Sequence, residues 1–281
     1  MKLVRYGAAG DEKPGLIDAE GRLRDLSGEI ADIDPATLAP AALARLAALD
    51  PATLPEVAGN PRLGPPVARV GKIVAVGLNY ADHAKEGGHP IPEEPVLFGK
   101  AITALSGPHD PVVLPRGHAK GDWEVELAVV VGTTARYVDE DHAFDHVAGY
   151  CVFDDVSERA FQAERSGQWI KGKSCDSFGP LGPWLVTAAD VPDPQNLRIW
   201  LDLNGERMQD SSTAQMIFGV ARLVSYISQF MTLMPGDVVP TGTPPGVGAG
   251  RRPQRFLRPG DVMTLGIDGL GEQRHEVLGP D

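Results

Sequence analysis

Acidic side chains stand inside the most strand-like runs of this sequence, and that placement limits how the runs can pack. Trp123-Glu-Val-Glu-Leu-Ala-Val-Val-Val131 carries Glu124 and Glu126, and Tyr150-Cys-Val-Phe-Asp-Asp-Val156 carries Asp155. Residues two apart on a strand share a face, so Glu124 and Glu126 project side by side, roughly 7 Å apart. Two ionised groups flanked by Val and Leu are costly to bury unless something neutralises them. A hard divalent cation does so, because Mg²⁺ and Ca²⁺ prefer carboxylate oxygen to sulfur or imidazole. An isolated Glu-x-Glu is ordinarily the wet face of an edge strand. A third carboxylate in another apolar run, with a His/Glu pair upstream, turns the reading to a metal site with Glu124, Glu126 and Asp155 as ligands.

At 281 residues the chain suits one large domain, or one domain with a small appendage. Apolar residues make up 42%, and 33 Gly and 25 Pro are spread along the chain, which describes a globular, turn-rich protein. A net charge of −12 argues against a nucleic-acid partner and means that an anionic substrate needs local help from a cation or a few placed basic groups. Only Cys151 and Cys175 occur, neither in a Cys-x-x-Cys pair, so zinc-finger and thioredoxin readings fail. With no signal-peptide pattern, a reducing cytoplasm is the expected compartment. No apolar run approaches the ~18 residues of a membrane span, so no membrane association is expected.

Strand-like alternation marks 2–6, 14–18 and 22–27, followed by an Ala/Leu-rich helical segment over 36–49. Five prolines between 51 and 66 read as a connector, which predicts a small N-terminal domain over 1–69 and a second domain over 70–281. Further strands are expected at 72–76, 96–98, 111–114, 125–131, 150–156, 237–240, 262–267 and 273–277. Helices are expected at 140–147 and 214–233. Many strands with few interleaved helices favour a β-rich α+β fold over a doubly wound sheet.

In Val76-Gly-Leu-Asn-Tyr-Ala-Asp-His-Ala-Lys-Glu86, His83 and Glu86 are three residues apart and meet on a helix. A carboxylate that orients an imidazole makes a general base near neutral pH, although the same pair alone could be an exposed ion pair. The order of motifs then carries a resemblance. Gly-x-Asn-Tyr-x-x-His-x-x-Glu, Glu-x-Glu-Leu, Asp155 with Arg159, Gly172-Lys173-Ser174 and Thr241-Gly-Thr-Pro-x-Gly-Val-Gly248 follow one another as in the fumarylacetoacetate hydrolase family. The resemblance spans roughly 70–281, and the N-terminal region looks like the appendage that many members carry. It is closest to the branch acting on 2,4-diketo-3-deoxy sugar acids, whose members are often labelled ureidoglycolate lyases.

That resemblance implies a mixed β-sandwich roll with a metal site at its mouth, in a homodimer. Glu124, Glu126 and Asp155 would bind Mg²⁺, with Mn²⁺ or Ca²⁺ as substitutes. His83 and Glu86 would be the base dyad on a lid, and Lys173 would hold or polarise a substrate oxygen. Arg159 and Thr243 would contact the substrate carboxylate or order the pocket. The implied reaction is C–C hydrolysis of a 2,4-diketo-3-deoxy sugar acid, an L-rhamnonate or L-fuconate derivative, to pyruvate and a small hydroxy acid such as lactate. Decarboxylation, dehydration or hydration of a 2-oxo acid and ureidoglycolate cleavage use similar residues. Leu78 stands where many acylpyruvate-cleaving relatives carry Arg, which implies a different substrate tail. A non-catalytic protein with a structural Ca²⁺ is the alternative of another class, but three protein carboxylates leave a six-coordinate ion incomplete.

Several features carry less. The glycine-rich Thr241–Gly250 stretch lacks the Gly-Lys-Ser/Thr ending of a phosphate loop. His142 and His146 belong to a polar stretch and read as a solvated helix face. Lys100 could line the pocket or sit at the surface, and Trp169 could shape the cleft or merely pack. Ser211, Ser212 and Thr213 read as caps of the following helix. Asp154 is turned away from Asp155 by strand alternation.

Overall fold

The structure is a computed structural model and describes residues 1–82 and 91–280. Val125–Val131 and Val147–Asp154 pair antiparallel near the middle of the larger sheet, with Val125 opposite Asp154 and Leu127 opposite Val152. The near-continuous apolar run follows from burial on both faces of the sheet, since every residue of Val125–Val131 is buried. Alternation deals these side chains to two cores. Val125, Leu127, Val129 and Val131 join Tyr150 and Val152 on one side. Ala128 and Val130 join Cys151 and Phe153 on the other.

Among the described residues the larger sheet runs Leu23–Asp25, Lys13–Ile17, Lys2–Tyr6, Gly179–Thr187, Val147–Asp154, Val125–Val131, Val238–Pro240, Ile73–Gly77 and Val96–Lys100. A second sheet runs Glu206–Ser212, Arg198–Leu203, Val262–Ile267, Gly271–Leu278 and Val112–Val113. The first core takes Leu201, Met263, Leu265 and Val277 from the second sheet and Leu223, Val224 and Ile227 from helix Val220–Phe230. It therefore fills the space between the sheets and that helix. The second core takes Leu3, Leu16, Leu38 and Leu46, so the N-terminal strands and helix Pro40–Ala47 cover the opposite face. The result is the strand-rich α+β fold that the sequence predicts.

Residues 1–69 add their strands to the larger sheet. Lys2–Tyr6 pairs with Gly179–Thr187, placing Leu3 opposite Leu185. Within the proline-rich stretch, Leu63–Gly64 pairs back onto Lys2–Tyr6.

The helices differ from expectation. Residues 140–147 give a 3₁₀ stretch, Glu140–His146, and 214–233 gives the shorter helix Val220–Phe230. Its start is fixed from outside the helix: the Val220 N–H donates to Gln195 Oε1 at 2.6 Å. Ser212 instead caps the separate 3₁₀ turn Thr213–Gln215. Among the described residues no helix is long and apolar enough to cross a membrane.

Gly149 allows the central strands to approach. A Cβ built there would lie 2.1 Å from the Val186 carbonyl oxygen of the neighbouring strand. Gly149→Ala is expected to force that pairing apart at a cost of about 3 kcal/mol, in the range of overpacking lesions. A thermal melt followed by circular dichroism should show Tm lower by roughly 6–12 °C for a chain of this size. An unchanged Tm would contradict the close approach.

Candidate active site

Pairing of the two central strands brings the acids together at one end. The Asp155 N–H donates to the Glu124 carbonyl at 2.9 Å, which sets these residues opposite each other just beyond the ladder. Glu126 follows Glu124 on the same face. One carboxylate oxygen from each of Glu124, Glu126 and Asp155 lies within 4.8 Å of the others, and all three residues are buried. Asp154 is not part of this group: its Oδ1 accepts the Glu124 N–H at 3.1 Å and its Oδ2 has no hydrogen-bond partner among the described residues. Burial pushes the Asp154 carboxyl up to about 8.

Three cations reach the acids from other elements. Lys173, in the short helix Ile170–Lys173, places Nζ 2.6 Å from both Glu124 Oε2 and Asp155 Oδ2. Lys100, at the end of Val96–Lys100, donates to Asp155 Oδ1 at 2.5 Å. Arg159 commits every edge of its guanidinium: Nη2 to Glu124 Oε1 at 2.6 Å, Nε to Asp122 Oδ2 at 2.8 Å, and Nη1 to Gln162 Oε1 at 3.1 Å.

These partners divide the carboxylates electrostatically. Burial works to raise Glu124, but Arg159 and Lys173 overcome it and hold the carboxyl down at about 2. Glu126 has no ion pair among the described residues, and its Oε2 accepts only the Gly242 N–H, at 2.8 Å. Burial, followed by Asp155 and Glu124, pushes Glu126 well above the usual carboxylate range. Burial likewise holds Lys100 below its ordinary value, against the pull of Asp155.

The cluster therefore sets Asp122, Glu124, Glu126 and Asp155 against Lys100, Arg159 and Lys173, and Glu126 is the acid left uncompensated. Three buried carboxylates with no thiol among them suit a hard divalent ion such as Mg²⁺ or Mn²⁺, and they would leave coordination positions open to substrate.

A cavity of about 310 Å³ opens onto Glu124, Glu126 and Lys173, with Leu78, Phe98 and Trp169 along its wall. Phe98 and Trp169 meet edge to face with ring centroids 5.3 Å apart. Leu78 takes a left-handed backbone conformation, φ +57°, which is uncommon for a residue other than glycine, at the turn leaving Ile73–Gly77. Asn79 fixes that turn. Its Nδ2 donates to the Thr241 carbonyl at 2.8 Å, and its Oδ1 accepts the Phe218 N–H at 2.8 Å. Gly242, at φ +99°, presents its N–H to Glu126, and a Cβ there would lie 2.8 Å from Asn79 Cβ. The Asn-Tyr and Thr-Gly-Thr motifs are thus two halves of one clamp.

Of the residues expected from sequence, Glu124, Glu126, Asp155, Arg159 and Lys173 come together. Thr243 lines the same cavity, with its hydroxyl donating to the Val125 carbonyl and accepting from Gln209 Nε2. His83 and Glu86 lie outside the described residues. His142 pairs with Asp145, and His146 with the Thr133 hydroxyl.

Sequence reasoning left Lys100 undecided between pocket and surface and passed over Gln162 and Asp122, and all three belong here. Lys100 is buried on Asp155, which its place in an apolar strand hinted at. Gln162 stands three residues after Arg159 on the short helix Arg159–Ala163, where such spacing brings side chains together. Asp122 accepts the backbone N–H groups of Gly248 and Ala249 as well as Arg159 Nε, and nothing in its local sequence signals this.

Comparison with known proteins agrees with this geometry. A Burkholderia ambifaria protein named "Putative hydrolase" is 59% identical over 274 residues, which is 97% of each chain. The crystal structure of a "putative HpcE protein" from Mycobacterium smegmatis superposes with a TM-score of 0.90 at 39% identity, covering 100% of both chains. Maleylpyruvate hydrolase from Sphingobium sp. SYK-6, solved with manganese(II) and pyruvate, superposes with a TM-score of 0.83 at 29% identity, again over 100% of both chains. The model of the family described as "Fumarylacetoacetate (FAA) hydrolase C-terminal" matches residues 72–278, so the chain belongs to the fumarylacetoacetate hydrolase family.

Proposed function

We propose that the chain is a divalent-metal-dependent hydrolase that cleaves the C3–C4 bond of a 2,4-dioxo acid and releases pyruvate. The observation that carries this reading is the buried triad of Glu124, Glu126 and Asp155 opening onto the cavity beside Lys173. A maleylpyruvate hydrolase of the same fold binds manganese and pyruvate, which supports both the metal and the product.

Glu124, Glu126 and Asp155 would hold the metal, which when bound supplies Lewis-acid stabilisation of negative charge on an enolate oxygen. The remaining chemistry falls to the chain itself. Lys173 would donate to a substrate carboxylate or 2-oxo oxygen beside the triad. Gln162 gives its Oε1 to Arg159, which leaves its amide NH₂ to donate into the cavity. Phe98 and Trp169 wall the site against water. His83, oriented by Glu86, would take a proton from the attacking water. Hydroxide adds at C4, the C3–C4 bond breaks with its electron pair passing to C3, and protonation at C3 gives pyruvate. The acyl half leaves as a carboxylic acid.

The 2,4-diketo-3-deoxy sugar acid expected from the resemblance is one member of this substrate class. Its tail would set a hydroxyl against Leu78, Phe98, Trp169 and Val247, a wall that suits a tail with fewer hydroxyls.

Two measurements test the reading. Metal-loaded protein given an acylpyruvate should release pyruvate, and excess EDTA should abolish that release; no pyruvate with metal demonstrably bound would move the chemistry to decarboxylation or dehydration in the same cavity. Glu126→Gln should lose bound metal by elemental analysis and lower turnover at least about a thousandfold, the scale of several kcal/mol of lost transition-state stabilisation. His83→Ala should keep its metal and lose about 10²–10⁴-fold, as removal of a general base does. Full metal content in the Glu126 variant would remove it from the ligand set.

A further inference from the structure

Three cations serve the acids, but not from equivalent positions. Arg159 and Lys173 line the cavity, where a substrate can touch them. Lys100 is not among the described lining residues, and its side chain is fully buried. Its Nζ donates to Asp155 Oδ1 at 2.5 Å and to the Val156 carbonyl at 3.3 Å. Among the described residues Asp155 is its only acidic partner. Whatever Lys100 does for a reaction in the cavity, it does through Asp155.

The contact is assembled from two elements. Lys100 ends strand Val96–Lys100, two residues after Phe98 of the cavity wall and so on the same face. The residue after it is fastened to the segment that carries Lys173: the Ala101 N–H donates to Ser174 Oγ at 2.9 Å. Asp155 is thereby gripped by two ammonium groups, Lys100 on Oδ1 and Lys173 on Oδ2. Lys173 shares itself with Glu124, whereas Lys100 is committed to Asp155 alone. Lys173 already supplies Asp155 with a charged donor, so burying a second ammonium against it adds desolvation that a purely structural pair does not need.

The local charge shows what the second ammonium changes. With all four carboxylates ionised, Asp122, Glu124, Glu126 and Asp155 exceed Lys100, Arg159 and Lys173 by one negative charge. A divalent ion on the triad would turn that deficit into an excess of one positive charge, which a substrate carboxylate balances. Without Lys100 the loaded cluster would be neutral, and an incoming anion would meet a weaker field. The bonds to Asp155 act in the same direction. A carboxylate that shares its charge with an ammonium donates less of it to a metal, and the metal keeps more for other ligands.

We infer that Lys100 is a positioning residue that moderates Asp155 as a metal ligand, lowering the triad's affinity for the ion and leaving the bound ion more attractive to a substrate carboxylate and 2-oxo oxygen. This rests on the reading of Glu124, Glu126 and Asp155 as the metal ligands. The inference separates from a structural role by sign. Loss of a lysine that merely satisfied Asp155 would let the carboxylate turn, and would weaken metal and anion together. Loss of a moderating lysine tightens the metal and weakens the anion.

The test uses Lys100→Met, a neutral side chain of similar length, and Lys100→Arg, which keeps the charge. Metal-free proteins are titrated with Mg²⁺ by calorimetry, and the Mg²⁺-loaded proteins with pyruvate, which carries both a carboxylate and a 2-oxo group. Lys100→Met should bind Mg²⁺ at least about tenfold more tightly than wild type, and pyruvate at least about threefold more weakly. Its Tm should rise more on addition of Mg²⁺ than that of wild type, because tighter binding stabilises more. Lys100→Arg should stay within about threefold of wild type in both titrations, since the charge is kept. Lys100→Gln takes the place of Lys100→Met if that protein does not fold. A folded neutral variant that binds Mg²⁺ no more tightly than wild type overturns the inference. So does failure of both neutral variants to fold with Mg²⁺ present, because Lys100 would then be a structural partner. A wild type that binds no Mg²⁺ sinks the metal reading itself. Mg²⁺ binding without pyruvate release from an acylpyruvate sinks the hydrolase reading and leaves the role of Lys100 to be decided by the two titrations.

Discussion

Glu124 is where the charges of this protein meet. One carboxylate oxygen is held by Arg159 and the other by Lys173, both at 2.6 Å, inside a buried site. Removing one partner from such a buried pair typically costs about 3–5 kcal/mol, because a desolvated charge is left behind. The same bonds fix the carboxylate in one orientation before any metal arrives, which is what a ligand needs if its geometry is not to be purchased from binding energy. Arg159 then extends the constraint outward. Its Nε bonds Asp122, and Asp122 holds the backbone of Gly248 and Ala249, so the cavity rim and Glu124 share one chain of hydrogen bonds.

Glu126 stands apart from that chain, and this is why the site has use for a metal. Its only described bond is the Gly242 N–H, and its neighbours Asp155 and Glu124 push it toward the protonated form. A protein could silence such a group by protonating it. A divalent ion shared with Glu124 and Asp155 would compensate it instead and keep all three oxygens available as ligands. Gly242 serves both outcomes, because its left-handed backbone lets an N–H reach Glu126 at a point where Asn79 leaves no room for a side chain.

The parts of this fold that could be read in the sequence are those in which chemistry and period coincide. Val125–Val131 announces a strand buried on both faces, and period-two alternation correctly separates Glu124 and Glu126 from Val125, and Asp155 from Asp154. Gly179–Thr187 went unread because Pro180 and Pro183 remove ladder donors, yet it pairs on both sides, accommodated by a register shift opposite Tyr150 and Val152. The hairpin Arg198–Ser212 did carry a signal: Asn204 and Gly205, at φ +53° and +81°, form the left-handed Asn-Gly turn that favours tight hairpins. The long apolar pattern over 214–233 overstated its helix because Gln195, distant in sequence, sets the start at Val220. The acids were legible for the same reason as the strands. Their cations were not, since Lys100 and Lys173 reach Asp155 across 55 and 18 residues, and no local pattern encodes those meetings.

The charged residues at the cavity are held in two different ways. Lys100, Lys173 and Arg159 are each held by carboxylates, so the charge of a metal on the triad would carry much of the net attraction for a substrate carboxylate there. At the rim, Arg252 is held by carbonyl oxygens, which orient a guanidinium without neutralising it. A cation oriented by dipoles keeps its charge for a ligand, whereas a cation oriented by carboxylates has already spent most of its field locally. Leu78, at the turn leaving Ile73–Gly77, presents an apolar side chain to the same cavity.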